Sequence, residues 1–563
     1  MKLACMRCED IVINGFTGIN FWCTEVRSRG SKTHDASAAR KLKRDKERAH
    51  AKNLVEFGIG TARGGASYVV GSVIRAVALV LLLIVLAHML VPAQFGLYTL
   101  AVAFYGIIEV VGYFGIGTAL RKRIPEAKNT AEVRSAISSG YAYSIAMGTI
   151  LAIAGFLASG YLAVEIYHNP AVADLLEIVS MTLIADVLFN TGTAALVGAM
   201  RNGHAAVSNV AYAVSNLIFS PALILLGYGV PGALVGILMA YAVGAIVSLA
   251  YLVRSLGFRL VMPKRSTMRE LTHISIPVLV SNMSNIGVTS FGIVFLGAYV
   301  SSEILGNYGA AYKLGSFATV IISSLTFVLL PAFSHAFSNK SLSRKMSSVY
   351  NGSVYYTLIF LLAAVAYAIS VSVPLSGLLF SYAYTYAPFY FAIIATGIAI
   401  GTVGTYAGTL MVSHGSVRRF MAYQVSVALI EIAAMVLLVP WLGALGLLAS
   451  FYVIGPVASD ALYAHALSRK FSFSVNIGQL ARLAASAAVL CAVLLMVSAT
   501  LKDGVEIIVT NLVIAIVVYP PLLALFGAIG RKNLDFVSKT GSRIRFIGGL
   551  ASALVEYADR FVS

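Results

Sequence analysis

Six ionisable side chains interrupt stretches that are otherwise apolar: Arg75, Glu109, Asp186, Lys313, Glu431 and Asp460. Near a bilayer centre a charged side chain costs ~2.5–3.5 kcal/mol, so each one needs a partner or a function. A carboxyl group stripped of water can carry a proton or, with neighbouring oxygens, hold Na⁺. Asp186 and Glu431 are the ion-coupling candidates, set against a plain role in hydrogen bonding between helices. Arg75 has a possible ion-pair partner in Glu109 on the next apolar segment. Lys313 has no acidic neighbour in sequence, and an unpaired charge in such a segment points to a ligand.

The elements that position these groups are fourteen apolar segments between Gly64 and Ile529. Each has the ~20 residues that a helix needs to cross a bilayer core ~30 Å thick. Hydrocarbon offers the backbone no hydrogen-bond partner, so spans of this kind are helical. The expected fold is an all-α polytopic membrane protein with 14 transmembrane helices. Of the 41 Lys and Arg residues, 13 lie in residues 1–63, and every second loop is basic. The intervening loops carry one basic residue, Lys502. The positive-inside rule places both termini in the cytoplasm, as an even number of spans requires. The expected location is the cell membrane.

The formal net charge of +18 is thereby mostly charge beside the membrane. The run Arg40-Lys-Leu-Lys-Arg-Asp-Lys-Glu-Arg48 could bind nucleic acid, but beside a first span it reads as a topology signal drawn to anionic lipid. No nucleic-acid partner is expected. Residues 1–63 lack the continuous apolar core of a cleavable signal peptide. Cys5-x-x-Cys8 has metal-knuckle spacing without a second ligand pair, and the scattered histidines show no ligand spacing. Neither a metal nor a cofactor is expected. In the tail, Ile547, Leu550, Leu554, Tyr557 and Phe561 form a stripe that suits an interfacial helix.

One long repeat runs through the chain. Phe95-Gly-Leu-Tyr98 returns as Leu305-Gly-Asn-Tyr308, and Pro231-Gly-Ala233 as Leu442-Gly-Ala444. Gly244 answers Gly455, and Arg201-Asn-Gly203 answers Ser413-His-Gly415, all at offsets of 210 to 212 residues. The expected organisation is a basic extension (1–63), a six-helix N-lobe (64–254), a basic linker (255–270) and a six-helix C-lobe (271–467). Two further helices (477–529) and a cytoplasmic tail (530–563) follow. Six helices is an even number, so the lobes insert in the same sense about an axis along the membrane normal, and rocking one against the other gives alternating access.

Val85-Leu-Ala-His-Met-Leu-Val-Pro-Ala-Gln-Phe-Gly-Leu-Tyr98 and Gly306-Asn-Tyr-Gly-Ala-Ala-Tyr-Lys-Leu314 resemble segments of the Wzx-type polysaccharide flippases. These belong to the multidrug/oligosaccharidyl-lipid/polysaccharide exporter superfamily. Ile166–Leu176 and Leu378–Ala387 are similar to that family's outer loops. The resemblance covers about residues 60–530 and includes the fourteen-helix count. His88 stands where many relatives carry arginine, so that arginine's role does not transfer.

The resemblance implies a central cavity lined by the first, second, seventh and eighth helices, with Arg75, Glu109 and Lys313 at or near it as substrate-binding candidates. It implies a lipid-linked oligosaccharide as the ligand. The two cations suit its diphosphate, arginine as a planar fork and lysine as a point charge. The expected function is a flippase moving polyprenyl-(di)phosphate-linked oligosaccharide by alternating access, with H⁺ or Na⁺ as a possible coupling ion. A drug/cation antiporter of the same superfamily is one alternative, and a membrane-embedded glycan polymerase or ligase is the other. No phosphate-binding G-x-x-x-x-G-K-[ST] loop appears, and the outer loops are short, so a transporter is expected rather than an enzyme.

Overall fold

The computed structural model describes residues 67–338, 346–471 and 477–529. The basic extension, Cys5, Cys8 and the tail stripe lie outside the described residues. Among these residues every element is helical. The stretch that the sequence marks as the first repeat, a name kept below, comprises α1 (Ser67–Met89), α2 (Pro92–Tyr113), α3 (Ile116–Arg123), α4 (Thr130–Tyr161), α5 (Ala171–Gly198), α6 (Asn202–Leu223) and α7 (Gly229–Leu256). The second comprises α8 (Arg265–Asn282), α9 (Val288–Gly297), α10 (Ser302–Ser338), α11 (Met346–Ser370), the short α12 (Ser372–Leu379), α13 (Ala387–Ile400), α14 (Thr402–Ser413), α15 (Val417–Leu442), α16 (Ala444–Ala449) and α17 (Gly455–Phe471). Two more helices follow, α18 (Ile477–Thr500) and α19 (Gly504–Leu525).

Eleven of the described helical segments are long and apolar enough to cross a membrane. One of them, Asn202–Leu256, is 55 residues long. It folds back on itself at Gly227 (φ 92) and Gly229 (φ 54, ψ −134), so α6 and α7 pack side by side. Side chains rarely adopt such angles. The same backbone recurs at Gly443 (φ 56, ψ −128), where α15 turns into α16.

Helices are interrupted where the sequence removes or frees a backbone partner. Pro221 and Pro277 each precede a π-helical turn, Ile224–Tyr228 and Met283–Gly287. Proline has no N–H and crowds the preceding turn, and such turns absorb the mismatch. Buried hydroxyls are mostly satisfied within their own helix: Thr99, Ser180 and Thr182 each donate to the carbonyl four residues back. They can therefore lie in hydrocarbon without a function. While an exposed phenylalanine such as Phe360 lies mid-helix, the exposed tyrosines Tyr161, Tyr228, Tyr299, Tyr382 and Tyr386 and the exposed Trp441 sit at helix ends opposite the basic loops. That is where an aromatic belt anchors a membrane face.

Packing differs between the two ends of the bundle. Away from the basic loops, both repeats contribute to one core that includes Leu86, Phe95, Leu176, Tyr308, Phe391 and Leu447. Toward the basic loops it divides. Ile116, Leu120, Ile137 and Leu252 form one core, joined by Leu271 of α8. Phe333, Tyr350, Tyr406 and Leu490 belong to another, which runs from Met346 to Ala366 along α11 and takes in the two C-terminal helices. The half-exposed ion pair of Arg123 with Glu270 (2.9 Å) adds a bridge between the repeats at that end.

The shared core depends on a crossing of α2 and α10. A methyl group on Gly96 would overlap the Ser302 carbonyl oxygen, and one on Gly306 would overlap the Pro92 carbonyl oxygen. The two copies of the repeated motif thus pack on each other, backbone to backbone. Gly96→Ala is expected to destabilise the protein by ~1–3 kcal/mol through overpacking. Gly160→Ala, which meets open space, should be nearly neutral. Thermal melting of both variants checks this; equal melting temperatures would remove the crossing from its structural role.

Candidate functional site

Helix periodicity brings ionisable and aromatic groups from five helices together within the first repeat. On α6, Asn209 and Tyr212 lie three residues apart and so share a face. The Arg75 Nη1 of α1 donates to Asn209 Oδ1 at 2.8 Å. Its guanidinium lies 4.9 Å from the Tyr212 ring centre and 5.8 Å from that of Phe189 on α5. Tyr212 stacks on Phe189 at 5.3 Å and meets Tyr241 of α7 at 4.5 Å. A planar cation over two rings is held by cation–π attraction as well as by its hydrogen bond.

Asp186 lies one helical turn from Asn190 on α5. It is fully buried, and its Oδ1 accepts from Asn190 Nδ2 at 2.6 Å. Its Oδ2 and the Tyr105 hydroxyl on α2 face each other without a hydrogen bond of ideal geometry. Buried polar atoms are nearly always satisfied, so a donor and an acceptor that face each other off ideal geometry mark a place where bonds can rearrange. Glu109, one turn along α2 from Tyr105, lies within electrostatic reach of both Arg75 and Asp186. No ion pair joins Glu109 to Arg75; the guanidinium takes Asn209 instead. The cluster thus combines one cation, two carboxyl groups, tyrosine hydroxyls and carboxamides. Its oxygens could hold a proton or a hard cation.

Neither Lys313 nor Glu431 exchanges a hydrogen bond, an ion pair or a ring contact with Arg75, Glu109 or Asp186. Lys313 is on α10, beyond Gly309, which packs on Thr99. Its ammonium has no hydrogen-bond or ion-pair partner among the described residues. Beside it, Tyr308 and Tyr312 stack at 6.3 Å with rings nearly parallel. Glu431 of α15 is seated against Gly455, where a methyl group would overlap its Oε1, just after the π-helical turn Ser450–Ile454. Tyr452 of that turn is its electrostatic neighbour. Asp460 is structural: it accepts from Gly404 N at 2.6 Å in the first turn of α14. His88 Nδ1 lies 2.9 Å from the Ile84 carbonyl oxygen of its own helix.

The sequence left Asn209, Tyr212, Phe189, Tyr105 and Tyr241 unmarked. A signal existed for two of them, because Tyr212 and Tyr241 return 211 residues later as Tyr423 and Tyr452. In a chain with 29 tyrosines that pairing does not stand out.

With this arrangement established, comparison with known proteins adds a match to a family over just under half of the chain. Over residues 61–337 the chain matches the polysaccharide biosynthesis protein family. The family segment contains Arg75, Glu109, Asp186 and Lys313, whereas Glu431 and Asp460 lie beyond it. The chain is 22% identical over 312 residues to a probable low-salt glycan biosynthesis flippase, Agl15, of Haloferax volcanii. That match spans 55% of this chain and 63% of the relative. In fold it is similar to the lipid II flippase MurJ in an inward closed conformation, with TM-score 0.67 and 13% identity, over 82% of this chain and 98% of that one. An inward-facing multidrug resistance MATE family transporter of the MOP superfamily aligns with TM-score 0.61 and 18% identity, over 70% and 94% of the two chains. The sequence resemblance to polysaccharide flippases therefore stands, on a fold shared with MOP transporters.

Breaking a buried charge cluster by removing one partner commonly costs 3–5 kcal/mol. Arg75→Gln is expected to lower the melting temperature by a corresponding amount, and Arg75→Gln/Glu109→Gln to recover part of it. Strict additivity in this double-mutant cycle would show that the two groups are not coupled.

Proposed function

We propose that this protein is a flippase that moves a polyprenyl-(di)phosphate-linked oligosaccharide between membrane leaflets. In this reading fourteen helices form two six-helix lobes and a C-terminal pair, with both termini cytoplasmic in the cell membrane. The observation that carries it is the packing: one core joins the repeats away from the basic loops, while nearer those loops the buried residues divide into a first-repeat core joined by Leu271 and a core of the second repeat with the C-terminal helices. In this reading the lobes stay joined at the outer side, and parting the Arg123–Glu270 pair and the Leu271 contact opens a cleft toward the cytoplasm, as alternating access requires of one of its states. The glycan and diphosphate enter the cleft, and the lipid tail stays in the bilayer.

Lys313 serves as the cation for the diphosphate. Among the described residues it is an unpaired charge in a stretch that otherwise packs tightly, and a phosphate leaving water needs positive charge in return. Arg75 is already engaged by Asn209 and two rings, which supports a role in positioning the first-repeat cluster, with its contact to substrate secondary. Asp186 and Glu109 beside it, and Glu431 in the second repeat, are the proposed proton or Na⁺ carriers. Filling or emptying such a site changes the charge that each lobe buries and so biases one orientation.

Removing one partner of a desolvated charge contact costs ~2–5 kcal/mol. Lys313→Ala should therefore lose more than ~10-fold in leaflet exchange of a lipid-linked glycan, at ~1.4 kcal/mol per decade. Lys313→Arg should keep part of the activity, since the charge survives in a different geometry. In the same assay Asp186→Asn and Glu431→Gln should slow exchange while leaving glycan retention intact. A folded Lys313→Ala protein with the normal rate would refute the cationic role. Orientation is tested in intact cells with an impermeant thiol reagent, against cysteines at the exposed positions Ser301, Thr385 and Ser266. The first two should label from outside; labelling of the third would reverse the topology.

A further inference from the structure

A cavity of about 270 Å³ lies between the loop after α3, the first turns of α4 and the ends of α5 and α7. It is separate from the charge cluster and belongs to the basic end of the bundle. Its walls are largely apolar, including Ile124, Val133, Ala199, Leu256 and Phe258, with a single charged side chain, Arg134. The Nε of Arg134 is buried and has no hydrogen-bond partner. Of the acidic groups nearby, Glu126 is exposed to solvent and two others are engaged. Glu132 accepts from the Lys128 amide at 3.1 Å and faces Arg123 at 3.9 Å, and Glu270 pairs with Arg123 at 2.9 Å. Arg134 is thus a guanidinium with a shielded donor and no acceptor among the described residues, in a space several times the ~30 Å³ of one water.

A guanidinium fork matches the oxygens of a phosphate. The exposed Arg201, Arg254 and Arg259 on neighbouring segments raise the positive potential around it. Basic residues at a membrane surface draw anionic lipids, and apolar walls favour an amphiphile over a free ion. We propose that this cavity binds the phosphate-bearing headgroup of an anionic membrane lipid, with Arg134 as its anchor. The site stands apart from the transport cleft and does not depend on the proposed substrate. A lipid held there would brace the loop after α3 against α4, α5 and α7.

The test uses the full chain purified into nanodiscs of phosphatidylcholine doped with phosphatidylglycerol, with retained lipid counted by native mass spectrometry. The wild-type protein should keep phosphatidylglycerol in preference to phosphatidylcholine. Arg134→Gln should lower that retention about tenfold, which corresponds to ~1.4 kcal/mol. Arg134→Lys should fall between the two. Ala199→Leu, which occupies the cavity while sparing the arginine, should also release lipid, and it keeps the test decisive if the Arg134 variants fold poorly. Equal retention by all four proteins, or no preference for the anionic lipid, overturns the proposal. Protection of the wild type by inorganic phosphate without lipid retention would assign the cavity to a free anion and overturn it equally.

Discussion

The backbone crossing of α2 and α10 at Gly96 and Gly306 is the contact on which the architecture rests. Two long helices come close enough there that neither can carry a side chain at the crossing point. In a bilayer, helices gain nothing by hiding apolar surface from lipid; close van der Waals packing through small residues is what joins them. Around the crossing the ends are further tied. Asn307 Oδ1 accepts from the Tyr386 and Ala387 amides at the start of α13, while its Nδ2 donates to the Glu303 carbonyl. The Tyr384 hydroxyl donates to the Leu90 carbonyl at the end of α1 at 3.0 Å. These bonds hold together the end at which the repeats share one core.

Much of this was legible in the sequence. The apolar segments, the alternation of basic loops and the glycine-tyrosine repeat each follow from a strong constraint: bilayer thickness, charge transfer across a membrane, or close helix approach. The repeated Gly-x-Tyr motif was readable as a repeat, but not as a contact between its own two copies. A repeat offset says that two segments are alike; it does not say that they touch. The breaks in helix were partly announced by Pro221 and Pro277, whereas the turn at Ser450–Ile454 has no proline and was silent.

The candidate site was legible only one residue at a time. Charges inside apolar runs are conspicuous, and Arg75, Glu109, Asp186, Lys313 and Glu431 were all found that way. Their grouping was not. Asp186 and Glu431 look alike in sequence, yet Asp186 shares its surroundings with Arg75 and Glu109, while Glu431 lies in the second repeat beside Gly455. The expected pairing of Arg75 with Glu109 yields to Asn209 and two aromatic rings, which are neutral and leave no trace in charge patterning. Lys313 keeps the character it has in sequence, an isolated cation, now within packed helices.

The central claim is that the protein carries a lipid-linked glycan across the bilayer without help from another protein or a nucleotide. Purified protein reconstituted in phosphatidylcholine vesicles with a fluorescent polyprenyl-diphosphate oligosaccharide tests it most directly. An impermeant quencher added outside reports the probe that reaches the outer leaflet. The account predicts that probe initially confined to the inner leaflet becomes quenchable in vesicles containing folded protein and stays protected in protein-free vesicles. Equal protection in both, with the protein shown to be folded and inserted, would contradict it.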